Sequence, residues 1–187
     1  SDHDSICGLP EFKENLKFGM HGIAGVEFSS YIMLNNKKIK LHILGYGFDE
    51  NNIKMLNLLQ EMKEKRVAAH IKLLNFAKMK LLNLPEDSLS RINMERYCWF
   101  DREFIKCLEQ DNYSMDDINY YRDYFKNNRF SYGPDYDLEV QRVIDAIHSA
   151  DGFVVLAHPM AYKLTSDEVT NIISKLSDLG IDGVEVY

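Results

Sequence analysis

The stretch from Gly25 to Tyr46 constrains this chain most. Two runs rich in β-branched and aromatic residues, Gly25–Leu34 and Ile39–Tyr46, flank the polar stretch Asn35-Asn36-Lys37-Lys38. That is the pattern of a β-hairpin. Asn tolerates the left-handed backbone that a tight hairpin turn demands. A turn centred on Asn35-Asn36 sets Ser29 opposite His42. Side chains then sort by face: Val26, Phe28, Ile32, Leu34, Ile39, Leu41 and Ile43 on one, and Glu27, Ser29, Tyr31, Lys38, Lys40, His42 and Tyr46 on the other. A slip of one residue would destroy this separation, so the pattern fixes the register.

In that register Glu27 and His42 are diagonal neighbours, about 7–8 Å apart at the backbone and within side-chain reach of one ion. Carboxylate and imidazole are the ligand types that hold zinc, manganese or iron. A solvated polar face explains either residue taken alone, so the rest of the chain has to decide.

At 187 residues the chain is long enough to bury a substantial core, and 45% hydrophobic residues fit a globular protein. The net charge of −7 disfavours bulk electrostatic binding to long duplex nucleic acid or an anionic membrane. Phosphate substrates stay open, because bound cations invert a local field. Cys7, Cys98 and Cys107 are scattered, with neither a paired framework nor metal-type spacing. They read as reduced thiols of a cytoplasmic protein. No apolar run approaches a membrane span. The chain opens on a polar cluster at Ser1 and stops at Tyr187 inside a strand-like run, which reads as a fragment of a longer domain.

Asp2, His3 and Asp4 are expected on a loop that enters a helix running from about Leu9 to Phe18. From Ile53 to Leu82 there is no Gly or Pro, and Leu56, Leu59, Met62, Arg66, Val67, Leu74 and Ala77 recur at helical spacing. Further helices are expected at about Arg102–Glu109 and Met115–Lys126. Residues 50–135 therefore read as a helical insertion between parts 1–49 and 136–187, with aromatics such as Phe104, Tyr113, Tyr120, Tyr121 and Phe125 as its core. Beyond Leu138 an amphipathic helix leads into the apolar run Gly152–Ala157, expected as a parallel strand buried on both faces. His158-Pro159 ends that strand, and a residue before Pro is held extended. His158 is then aimed off the carboxyl end of the strand, where α/β folds place ligands. Thr165–Glu168 has capping-box spacing, Gly180 closes the helix, and Ile181–Tyr187 begins another strand, giving a βαβ unit.

His3, Glu27, His42 and His158 thus fall at strand ends and on one hairpin face. Imidazoles with carboxylates suit a polynuclear site that activates water. His21, His70 and His148 fall elsewhere and read as structural or solvent-exposed.

The blocks Ser1-Asp2-His3-Asp4-Ser5, Gly8-Leu9-Pro10-Glu11, Gly25-Val26-Glu27-Phe28-Ser29, His42 to Asp49 and Leu156-Ala157-His158-Pro159 resemble the signature of the polymerase and histidinol phosphatase (PHP) family. They are most similar to its stand-alone phosphoesterases acting on nucleoside 3′,5′-bisphosphates and short oligoribonucleotides. The resemblance implies an α/β fold, an incomplete distorted (β/α)7 TIM-like barrel with a helical insertion. It implies a cluster of up to three divalent ions (manganese, iron or zinc), with His3, Glu27, His42 and His158 as ligands and Asp2 and Asp4 orienting His3. Metal-bound hydroxide would attack phosphorus. Arg129, before Tyr132 in a block resembling the family's Arg-Pro-Ala-Tyr, would take the substrate phosphate. The family's first His-x-His strand and its late Asp-x-His block are absent, so the 187 residues are expected to be inactive or nearly so without the rest of the protein. A histidinol-phosphate-type phosphatase and a degenerate, non-catalytic scaffold are the competing readings.

Overall fold

The computed structural model describes residues 1–80, 84–93, 100–132 and 137–186, with the side chains at 80, 100 and 128–132 outside that set. The chain divides into two compact units, Ser1–Met62 with Asp137–Tyr187, and Lys63–Tyr136.

The first unit is built on a mixed sheet of β1 (Asp2–His3), β2 (Gly25–Leu34), β3 (Lys37–Tyr46), β4 (Leu138–Glu139), β5 (Phe153–Leu156) and β6 (Gly183–Val184). The strand order is β1-β2-β3-β5-β6, and β4 also pairs with β2. The β2–β3 hairpin has the register read from the alternation, Ser29 opposite His42 and Gly25 opposite Tyr46. Its turn residues Asn35 and Asn36 both take positive φ, 49° and 60°.

The apolar face of the hairpin, with Val26, Phe28, Ile32, Ile39, Leu41 and Ile43, is buried. Helix α6 (Val140–Ser149) lays Val140, Val143, Ile144 and Ile147 into that core. Gly45 makes the approach possible, since a Cβ there would lie 3.0 Å from Ile147 Cδ1. Helix α7 (Ser166–Leu179) starts with the Thr165–Glu168 capping box and ends at Gly180, whose φ of 98° suits a residue without Cβ. It joins β5 to β6, which run parallel.

Two strand expectations are corrected. Asp2 and His3 are not in a loop; they pair in parallel with Val26 and Glu27. Two residues are too few to show an alternation. Strand β5 is antiparallel to β3 and parallel to β6. It is not buried on both faces, because Phe153 is 64% exposed while Val154 and Leu156 are 0% exposed. An unbroken apolar run does not reveal its neighbours' directions.

Helix α1 (Leu9–Glu14) is shorter than expected. Helix α2 (Ile53–Lys80) carries the chain from the first unit into the second. Its buried stripe runs through Met55, Leu58, Leu59, Met62, Arg66, Ala69, Leu73 and Ala77, and Leu56 is exposed. In the second unit α3 (Glu86–Ser90), α4 (Phe100–Gln110) and α5 (Met115–Tyr132) surround a core of Leu73, Ala77, Phe104, Leu108, Ile118, Tyr121 and Phe125. Phe104 meets Tyr121 and Phe125 edge-on, with ring centroids 5.5 Å apart in each pair. Tyr113 and Tyr120 are exposed and do not belong to it. Cys98 lies outside the described residues, within which no helix is long and apolar enough to cross a membrane.

Candidate metal centre

Paired residues on neighbouring strands project to the same side of a sheet. His3 pairs with Glu27 and Ser29 pairs with His42. Three adjacent strands therefore bring His3, Glu27 and His42 to one face, opposite the face that α6 covers. One ligand atom from each lies within 4.8 Å of the others. Glu27 Oε1 is 2.8 Å from His42 Nδ1, and Glu27 Oε2 is 3.6 Å from His3 Nε2. His158 completes the convergence, with Nε2 3.0 Å from Glu27 Oε1 and 3.1 Å from His42 Nδ1.

His158 arrives by a route the sequence does not announce. It is not extended: φ is 30° and ψ is 57°, in the left-handed region. A non-Gly residue there, and one before Pro, stores about 1–3 kcal/mol of strain. The chain goes on into a 3-10 turn, Pro159–Tyr162, and Lys163 is left-handed again. Four hydrogen bonds hold the segment. Ala157 N–H donates to the His42 carbonyl at 3.0 Å. His158 N–H donates to Glu185 Oε2 at 2.8 Å. The Tyr162 hydroxyl donates to the Ala157 carbonyl at 2.6 Å and accepts from His42 N–H at 3.0 Å. Tyr162 and Glu185 went unnoticed in the sequence. The only signal was position, one just past His158-Pro159 and the other at the end of the next strand-like run.

Asp4 and Asp2 take different places beside His3. The Asp4 carboxylate is buried and accepts from Ser29 N–H at 2.7 Å and Ser29 Oγ–H at 2.9 Å, while Asp4 N–H donates to the Glu27 carbonyl at 2.9 Å. It fixes His3 by locking the backbone after β1 onto β2. Asp2 pairs with Val26, so it points to the opposite face from its neighbour His3. Its Oδ2 sits beside Gly8, 2.6 Å from where a Cβ would be. Arg129 falls in α5, and its side chain lies outside the described residues. His21 and His148 are exposed, and His70 is buried in α2.

The electrostatics favour a ligand set ready for a cation. Burial pushes the Glu27 carboxyl up, but the hydrogen bond with His158 and the His3 and His42 imidazoles outweigh it and hold it below the usual range. Burial pushes the His42 imidazole down; His3 acts in the same direction and Glu27 opposes, leaving it lowered. Burial pushes the Tyr162 hydroxyl far above the usual phenol range, so it remains a donor.

Hydrogen bonding alone does not satisfy this cluster. Glu27 Oε1, His42 Nδ1 and His158 Nε2 form a triangle with edges of 2.8, 3.0 and 3.1 Å. Every placement of protons on the two rings leaves an edge with two hydrogens or two lone pairs facing each other. A divalent cation among these atoms removes that conflict, and one carboxylate with several imidazoles fits zinc, manganese or iron.

No known family profile matches the chain. It is 26% identical over 196 residues to a 5′-3′ exoribonuclease of Haemophilus influenzae, covering 99% of this chain and 66% of that protein. It is 26% identical over 194 residues to the 5′-3′ exoribonuclease Rnm of Salmonella typhimurium, covering 100% of this chain and 63% of that protein. The chain thus spans just under two thirds of the length of these relatives. Among solved structures, an amidohydrolase from Chromobacterium violaceum with bound sulfate and no metal superposes with a TM-score of 0.74 at 22% identity, over 98% of this chain and 64% of that one. A Bifidobacterium adolescentis protein described as a metal-dependent phosphoesterase gives 0.70 at 20% identity, over 100% of this chain and 65% of that one. The mixed α/β fold is shared with both.

Proposed function

We propose that this chain forms part of a metal-dependent phosphoesterase of the PHP type, acting on nucleoside 3′,5′-bisphosphates or short oligoribonucleotides. The observation that carries the reading is the triangle of Glu27 Oε1, His42 Nδ1 and His158 Nε2, whose edges of 2.8–3.1 Å ask for a cation. Relatives matched over essentially the whole chain are named 5′-3′ exoribonucleases, which supports a phosphodiester of RNA as substrate. The sheet, with its short outer strands β1, β4 and β6, is read as part of a distorted (β/α)7 barrel, and the helices of residues 63–136 as its insertion.

His3, Glu27, His42 and His158 would hold the ions. A bound divalent cation supplies Lewis acidity, making water a nucleophile near neutral pH and drawing charge from a phosphoryl group. The chain's own contribution is to keep Glu27 anionic and His42 neutral, so that both offer lone pairs. Ser29 and Asp4 fix the strand that carries Glu27, and Ala157 and Tyr162 fix the strand that carries His42.

The test is metal content after dialysis, measured together with hydrolysis of a nucleoside 3′,5′-bisphosphate and a short oligoribonucleotide by the full-length protein. Glu27→Ala and His42→Ala are each expected to lower bound metal and turnover together, by about 10- to 100-fold or more in affinity. Unchanged metal content and turnover in both variants would remove these residues from the site.

A further inference from the structure

A metal-bound imidazole is normally oriented by a hydrogen bond at its other ring nitrogen. His158 lacks that support among the described residues. Its Nε2 faces Glu27 and His42, and its Nδ1 is buried with no hydrogen-bond partner. Its aim has to come from somewhere else. The backbone cannot supply it passively, because φ 30° before Pro159 is a conformation that the residue leaves unless something holds it.

Two groups are placed to hold it. Glu185 follows β6 and lies on the same face of the sheet as the ligands, since Gly183 pairs with Val155 and Val155 with Leu44. Its Oε2 accepts the His158 N–H at 2.8 Å, and its own N–H donates to the Leu156 carbonyl at 3.0 Å. The carboxylate therefore binds the one amide whose direction fixes the left-handed turn. Tyr162 closes the other side. Its hydroxyl bridges the Ala157 carbonyl and the His42 N–H, and its ring lies edge-on to the His158 imidazole with centroids 5.5 Å apart.

We propose that Glu185 and Tyr162 are positioning residues that together hold the His158 backbone in its left-handed turn and so aim its imidazole at Glu27 and His42. The inference rests on the metal-site reading, with Glu185 acting on His158 through the main chain and not as a ligand. It explains why His42 on β3 and His158 in the turn after β5 meet at 3.1 Å although His158 Nδ1 is not anchored from behind.

The test compares Glu185→Ala, Glu185→Gln and Tyr162→Phe on two readouts. The first is hydrogen exchange of the His158 and His42 amides in the metal-free chain. The second is Co²⁺ affinity, with the visible spectrum of the bound ion reporting its ligands. Gln keeps an acceptor oxygen for the His158 amide and Ala does not. Glu185→Ala is expected to speed His158 amide exchange at least tenfold and to weaken Co²⁺ by about 10- to 100-fold, with a spectrum that has lost an imidazole. Glu185→Gln is expected to stay within about threefold of wild type on both readouts, in keeping with the scale of a retained neutral hydrogen bond. Tyr162→Phe is expected to speed His42 amide exchange and to weaken Co²⁺ by a smaller factor. If Glu185→Ala does not fold, Glu185→Asp, one methylene short of the amide, takes its place. Wild-type behaviour of the Ala variant, or equal loss in Gln and Ala, would overturn the proposal. If the wild-type chain takes up no Co²⁺, the metal reading fails, and exchange at the His158 amide still decides the clamp.

Discussion

Asp4 shows how a single residue can brace a cluster of side chains through the backbone. It is a 3% exposed carboxylate in a left-handed backbone, φ 52°, immediately after β1. Both its oxygens are engaged by Ser29, through the main-chain N–H and the hydroxyl. Ser29 is itself buried and follows Glu27 by two residues, on the same face of β2. Removing the Ser29 hydroxyl takes a donor from a buried charge, which costs about 1–3 kcal/mol. Ser29→Ala is therefore expected to lower stability to urea by that amount with its denaturant slope unchanged. Asp4→Asn, which still offers an acceptor to Ser29 N–H and can donate to the hydroxyl, is expected to lose less. A Ser29→Ala variant as stable as wild type would show that the carboxylate is satisfied elsewhere.

Between elements, the hairpin was the most legible feature and its turn is the most improvable. Asn35 and Asn36 occupy left-handed positions that Gly fills without strain at the second site. Asn36→Gly is expected to stabilise by about 0.5–1 kcal/mol, or roughly 1–4 °C in melting temperature, and Asn36→Val to destabilise by at least as much. Alternation made the register readable because a face with Phe28, Ile32 and Leu41 must be buried and one with Glu27 and His42 must not. The same reasoning failed where the signal was shorter than the element. Asp2–His3 is too short to alternate, Phe153–Leu156 is apolar throughout, and His158 departs from the habit of residues before Pro because Glu185 and Tyr162 hold it. Those holds are tertiary, and no local pattern encodes them. A further tie of that kind joins β5 to the turn before β6: Asp182 Oδ2 accepts from Val154 N–H at 2.8 Å and meets His148 Nε2 at 3.0 Å. The Val154 hydrogen bond, aided by His148 and opposed by partial burial, holds the Asp182 carboxyl below its ordinary 3.8. A carboxyl lowered on folding adds stability above its unfolded pKa and gives it up as pH falls through the folded value. Asp182→Asn should thus melt below wild type at neutral pH, and the gap should close as the pH drops below about 4, the unfolded value for Asp. A gap that stayed constant with pH would mean the charge contributes nothing.

At the scale of the whole molecule, the charge argues about what draws a substrate in. The chain carries 22 basic and 29 acidic residues, for a net charge of −7. Such a surface repels a phosphodiester backbone at long range, and the repulsion is strongest at low salt, where screening is weakest. On the proposed reading, attraction comes from cations held by His3, Glu27, His42 and His158, which would reverse the field locally. A protein that relies on lysines and arginines behaves the other way, binding tightest at low salt and losing affinity steeply as salt rises. The expected outcome with a labelled short oligoribonucleotide, followed by fluorescence anisotropy, is no retention by the chelator-treated chain at low salt. Binding should appear on addition of Mn²⁺ and change little when salt is raised fourfold. The opposite result, tight metal-free binding that collapses with salt, would shift attention to the second unit. There Arg102, Lys106, Arg122 and Lys126 line a cleft of about 350 Å³. Asp101 and Glu109 share that lining, and Lys106 and Arg122 already pair with Glu103 and Glu109 at 2.6 and 3.5 Å. Those pairings offset part of the cleft's positive charge, which is why the cation-dependent outcome is the one expected.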